Sequence, residues 1–129
     1  MVSLGHEGTI TNCAKEGGSV KEIDYLTFHL WAQNWNWYDP KNPNLDYTKG
    51  KALQYLDANV KIARELGKPI VLEEFGLSRD NGDYSPTSVT NNKDQYYEFI
   101  FRYVHSSIQK GDNLIGTNFW AWAGEGRPP

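Results

Sequence analysis

Three stretches rich in β-branched and aromatic residues begin near positions 23, 69 and 114. Their recurrence, roughly every 45 residues, leaves room for a helix and two loops between strands and is far longer than a hairpin needs. The first, Ile23 to Trp31, is apolar on both faces apart from Asp24, Thr27 and His29, as expected of a strand buried on both sides. Lys49 to Leu66 then sets Leu53, Leu56, Val60 and Ala63 on one helical stripe. Gly67 and Pro69 follow, a helix stop and then a strand start. Pro69 to Phe75 reads as the second strand, Gly76 to Asn92 as a polar loop, and Lys93 to Lys110 as a helix with Tyr97, Ile100, Phe101, Val104 and Ile108 on one face. Leu114 to Trp122 is the third strand. Val2 to Leu4 is a candidate fourth, and Glu16 to Val20 is either a short helix or a loop.

Such βα units belong to an open doubly wound sheet or to a (β/α)8 barrel. A full barrel takes roughly 250 residues, whereas this chain has 129 and ends at Arg127-Pro128-Pro129, directly after a strand. The expected fold class is therefore α/β, a partial (β/α)8 TIM barrel. A half-barrel of four strands would leave edge strands and an apolar face uncovered, so self-association or pairing with the missing half is expected.

Composition narrows the partners. Thirteen basic against sixteen acidic side chains, with no basic cluster, give no footprint for nucleic acid. The apolar runs are too short to span a membrane, and the N-terminal residues lack the charged region and apolar core of a signal peptide. A lone Cys13 makes neither an internal disulfide nor a Cys-x-x-Cys pair. Five Trp and eight Tyr exceed what so small a core needs, and flat aromatic rings suit the aliphatic C–H faces of sugars.

The candidate chemistry is carboxylate chemistry. No Gly-rich phosphate loop, metal-spaced His and Asp set or serine elbow occurs, so no cofactor or metal is expected. Glu73-Glu74-Phe75-Gly76 lies at the C-terminal end of its strand, where barrel active sites are built. Alternation points one glutamate inward and the other toward the helices; spacing alone does not choose between them. His29 and Trp31 share one face of the preceding strand, from which His29 can orient a carboxylate of the next. Trp120 and Trp122, also two apart, are candidates for the floor of a sugar subsite, with core packing as the competing role. Trp35, Trp37 and Tyr38 lie on a polar loop after the first strand, where a binding platform is favoured over packing.

Taken together, Ile23 to Trp31 with its Trp-Tyr-Asp-Pro loop, Lys68 to Ser78 around Glu-Glu-Phe-Gly, and Gly116 to Gly126 around Trp-Ala-Trp resemble the C-terminal half of a glycoside hydrolase family 5 endo-β-1,4-mannanase of clan A, most like bacterial members. The resemblance implies strands 5 to 8 of the barrel over residues 1–129, without the N-terminal half and the last helix. It implies a retaining mechanism with two glutamates about 5–5.5 Å apart. By the same resemblance Glu74, directly before Phe-Gly, is the nucleophile, and Glu73 points outward. His29 matches the sixth-strand histidine, Trp31 stands where many relatives carry a tyrosine, Trp120 matches the tryptophan under the −1 sugar, and Glu7 falls at the fifth-strand end as a substrate contact. The family's acid/base glutamate and its early arginine belong to the front half, so negligible activity is expected of the chain alone. The implied substrate is β-mannan or a related polysaccharide, and the implied location is extracellular or periplasmic. A non-catalytic carbohydrate-binding half-barrel and a related clan A enzyme such as a cellulase are the alternatives.

Overall fold

A computed structural model describes residues 16–120; Val2 to Leu4 and Cys13 lie outside them. Three parallel strands, β1 (Leu26–Leu30), β2 (Ile70–Phe75) and β3 (Leu114–Thr117), form one sheet in the order β1-β2-β3. Helix α1 (Leu45–Leu66) connects the first two and α2 (Asn91–Gln109) the last two. This is the expected βα repeat, with shorter strands at both ends.

Helix α1 starts four residues before the expected Lys49. Asn44 caps it, its side-chain oxygen accepting from the Tyr47 N–H at 3.0 Å, and Asp46 lies in the first turn, where a carboxylate suits the positive end of the helix. The helix ends as expected: Gly67 takes the left-handed conformation (φ 64°), the Gly67 N–H donates to Arg64 and the Lys68 N–H to Ala63, a pairing that satisfies the last carbonyls.

The core fills the space between one sheet face and the helices. Leu26, Phe28 and Leu30 of β1, Ile70, Leu72 and Phe75 of β2 and Leu114 of β3 meet Leu56, Val60 and Ala63 of α1 and Tyr96, Ile100 and Val104 of α2. Both helical stripes are turned slightly from the sequence expectation. In α1 Leu53 is 39% exposed and the smaller Ala52 takes the buried position. In α2 the buried line is Tyr96, Ile100, Val104 and Ser107, while Phe101 and Ile108 sit at its margin, about half exposed. The reason is the same in both helices: the sheet selects the line that lets the backbone approach, and periodicity alone leaves the centre of a wide stripe open by one residue.

Buried phenols give this packing a pH signature. Burial pushes Tyr55 up to about 12 against a smaller pull from Asn59, and raises Tyr96 as well. Tyr103 is raised first by burial and then by Asp57, whose carboxylate accepts its hydroxyl at 2.6 Å. A phenol raised in the folded state stabilises fully below its unfolded value of 10.0 and loses that contribution as pH climbs through the folded value. The urea unfolding midpoint is therefore expected to hold up to about pH 10 and fall steadily toward 12. A midpoint unchanged across that window would place these rings in water.

Candidate active site

Strands β1 and β2 pair in register from Leu26 opposite Ile70 to Phe28 opposite Leu72. The register then shifts, and His29 lies opposite Glu74. This irregularity leaves Glu73 unpaired and changes the phase of β2. Ile70, Leu72 and Phe75 are all in the helix-side core, which strict alternation would forbid for both Leu72 and Phe75. Both glutamates are thereby placed with His29. Its Nε2 lies 3.4 Å from Glu73 Oε2 and its Nδ1 lies 3.4 Å from Glu74 Oε2. The expectation that Glu73 points outward is thus corrected: the bulge brings it to the same imidazole as its neighbour. All three side chains are about a quarter to a third exposed, open enough to meet a ligand. A protonated ring donates to both carboxylates, a neutral one to a single partner.

Beyond the glutamates, Gly76 permits a close crossing. A Cβ on it would stand 2.7 Å from the Trp120 carbonyl oxygen and 3.4 Å from Cζ3 of Trp31, so any larger residue would push β3's extension away. That extension continues the pairing past Thr117, with the Asn118 N–H donating to Leu72 and the Trp120 N–H to Phe75 at 2.8 Å. Trp120 is held by its backbone while its side chain remains 59% exposed. Trp31, Trp120 and Tyr84, with Gln33, Asn34, Gly76, Leu77 and Ser78, line a cleft of about 380 Å³, within the usual size of small-ligand sites. A larger open depression of about 540 Å³ lies between the starts of α1 and α2, lined by Asn42, Pro43, Asn44, Leu45, Asp46, Asn92 and Gln95. It contains no aromatic ring, and the cleft beside Gly76, walled by three aromatic residues, is the better candidate.

The loop tryptophans are elsewhere. Trp35 and Trp37, expected as a platform, pack edge-on against each other at 4.8 Å and against Tyr55 of α1 at 5.0 and 6.1 Å, and Tyr38 is buried. The chain curls inward here, with the Trp35 N–H on the Trp31 carbonyl, the Trp37 N–H on that of Ala32, and Asn36 at φ 58° between them. Tyr38 is thereby corrected to a core residue, while Trp35 and Trp37 rest on Tyr55 and stay partly exposed. Glu7 and Trp122 lie outside the described residues. The structure therefore gathers His29 with Glu73 and Glu74, and Trp31 with Gly76 and Trp120. Sequence reading missed Glu73 as a partner of His29 and Tyr84, Gln33, Asn34 and Ser78 as cleft residues. Only Gly76, inside the Glu-Phe-Gly motif, carried a readable signal. Among the described residues no group of His, Cys, Asp and Glu could hold a metal ion, and no helix is long and apolar enough to cross a membrane.

The structure superposes on the crystal structure of a glycoside hydrolase family 5 mannosidase from Rhizomucor miehei with a TM-score of 0.86 and 37% identity, over 98% of this chain and 33% of that one. The endo-beta-1,4-mannanase of Thermotoga petrophila shares the fold, with a TM-score of 0.56 at 24% identity, over 88% of this chain and 20% of that one. Among curated proteins, mannan endo-1,4-beta-mannosidase 5 of Arabidopsis thaliana is 27% identical over 86% of this chain and 24% of its own length. Mannan endo-1,4-beta-mannosidase 2 of the same plant is 29% identical over 81% of this chain and 22% of its own length. The chain thus spans about a quarter of these curated relatives and a third of the fungal enzyme. The profile of the GH family 5 beta-mannosidase-like proteins matches residues 1–129, and the chain belongs to that family.

Proposed function

We propose that this chain is the C-terminal, nucleophile-bearing half of the catalytic barrel of a retaining endo-β-1,4-mannanase. The observation that carries the reading is the meeting of Glu74 with His29 at 3.4 Å at the C-terminal strand ends, next to the cleft walled by Trp31 and Trp120. The names of the mannan-hydrolysing relatives support the substrate class.

In this mechanism a mannosyl unit lies on Trp120 with its anomeric carbon facing Glu74. The carboxylate forms a bond to that carbon as the bond to the leaving oxygen breaks, and the leaving oxygen takes a proton from an acid supplied by the rest of the barrel. Water, deprotonated by the same acid/base group, then hydrolyses the glycosyl ester and frees Glu74. His29 holds the nucleophile in place. Lacking an acid, the chain alone would expel an unprotonated leaving group, a loss commonly of 10²–10⁴-fold. Pairing with the remaining barrel segment would also cover the edges of β1 and β3, and a polymeric substrate places the complete enzyme outside the cytoplasm.

Release of reducing sugar from β-mannan tests this, with the chain alone and mixed with a separately produced segment carrying the remaining strands. Activity in the mixture only is the expected result. Activity of the chain alone would overturn the division of labour between the halves. Faster release from a β-glucan would move the substrate to the cellulase class, and binding without cleavage in the mixture would make this a carbohydrate-binding half-barrel.

A further inference from the structure

Among the exposed large hydrophobic residues described, Tyr84 is the most exposed, at 89%, yet the loop that carries it is firmly tied. Arg79 Nη1 donates to the Ser88 carbonyl at 3.1 Å and to that of Pro86 at 3.5 Å, the Ser85 N–H donates to Asp83 Oδ1 at 2.8 Å, and Ser88 Oγ donates to the Ser85 carbonyl at 2.8 Å. Asp80 ties this loop to the start of α2 by accepting from the Asn92 N–H at 3.0 Å. Gly82, at φ +69°, lies close enough to Pro40 that a Cβ there would touch it at 3.4 Å, so the loop also rests on the one that follows β1.

A single exposed tyrosine is ordinary. This one differs because its loop is braced and its ring lines the same cleft as Trp31 and Trp120. Gln33 and Asn34 bring amides to that cleft. An aromatic ring fixed in advance, beside amide donors and acceptors, binds a polyhydroxylated ligand without the entropic cost of ordering a loop.

We propose that Tyr84 is the platform of a second sugar subsite. One unit of a β-1,4-linked manno-oligosaccharide lies on Trp120 beside Glu74, and a neighbouring unit lies against Tyr84 with hydroxyls on Gln33 and Asn34. The inference rests on the mannan-hydrolase reading and extends it from the cleaved bond to the length of substrate that the cleft grips.

Calorimetric titration with mannose, mannobiose, mannotriose and mannotetraose tests it on the chain combined with the remaining barrel strands, in a Glu74→Gln background that prevents cleavage, with the wild-type cleft and with Tyr84→Ala, Tyr84→Trp and Trp120→Ala. Tyr84→Ala is expected to weaken the triose and tetraose roughly three- to tenfold, as loss of one ring contact implies, with mannose unchanged and Tyr84→Trp restoring affinity. Equal affinities of Tyr84→Ala and the wild-type cleft for every length, with Trp120→Ala still weakened, would overturn the second subsite and leave the mannan reading standing. Failure of the wild-type cleft to bind any manno-oligosaccharide, or preference for cello-oligosaccharides, would overturn both.

Discussion

Glu74→Gln is expected to lower the turnover of the chain combined with the remaining barrel strands by about 10⁴ to 10⁶-fold, the loss seen when a group that forms the covalent intermediate is removed. Glutamine keeps the volume of the side chain and still offers an oxygen toward His29 Nδ1, so affinity for manno-oligosaccharides is expected to change only a few-fold. Glu73→Gln provides the contrast. It removes a charge from the other side of the same imidazole, where Nε2 lies 3.4 Å from the Glu73 carboxylate, and disturbs only the aim of His29. Misplacing a positioning group costs up to about 10²-fold. Because the bulge puts both carboxylates against one histidine, the order of these two losses decides which glutamate attacks. The reverse order would move the nucleophile to Glu73, and equal small losses would remove covalent catalysis from this strand.

That ambiguity shows where sequence reading stops. The three strands and two long helices are legible because their signals are local: β-branched runs, Gly67 and Pro69 as punctuation, and apolar spacing along each helix. The site at the strand ends is legible for the same reason, since Glu-Glu-Phe-Gly and His29 stand at the ends of those runs. The bulge is not legible. It arises from pairing with β1, more than forty residues away, and it cancels the alternation on which the assignment of Glu73 rests. The contact of Trp35 and Trp37 with Tyr55 is not legible either, because that ring belongs to a helix later in the chain. Asn44 shows the opposite kind of error. Its capping signal stands in Pro43-Asn44-Leu45-Asp46, ahead of the helix start expected at Lys49. Tyr84 gave no signal, because exposure on a braced loop is a property of the folded chain.

Phe75→Ala is expected to destabilise the chain by about 3–5 kcal/mol, the usual cost of removing a buried phenyl ring. Phe75 is fully buried and meets the rings of Tyr97 at 4.9 Å, Phe101 at 5.7 Å and Tyr96 at 6.5 Å. A loss of that size is a large share of the 5–15 kcal/mol that keeps an ordinary domain folded, and a chain with a third of its fungal relative's length has little margin. Phe75→Leu, which refills most of the volume, should cost clearly less. Urea unfolding measures both, and a loss below about 1 kcal/mol for the alanine variant would mean that this cluster does not anchor β2. The consequence reaches the site through the backbone. Phe75 on the helix side is what turns the preceding residue, Glu74, toward His29, and its carbonyl holds the Trp120 N–H at 2.8 Å. The phenyl ring that stabilises the core thus also fixes the strand phase on which the carboxylate and the indole both depend, so in the leucine variant, where the fold survives, any loosening should appear in the His29 to Glu74 contact and in the affinity of the cleft together.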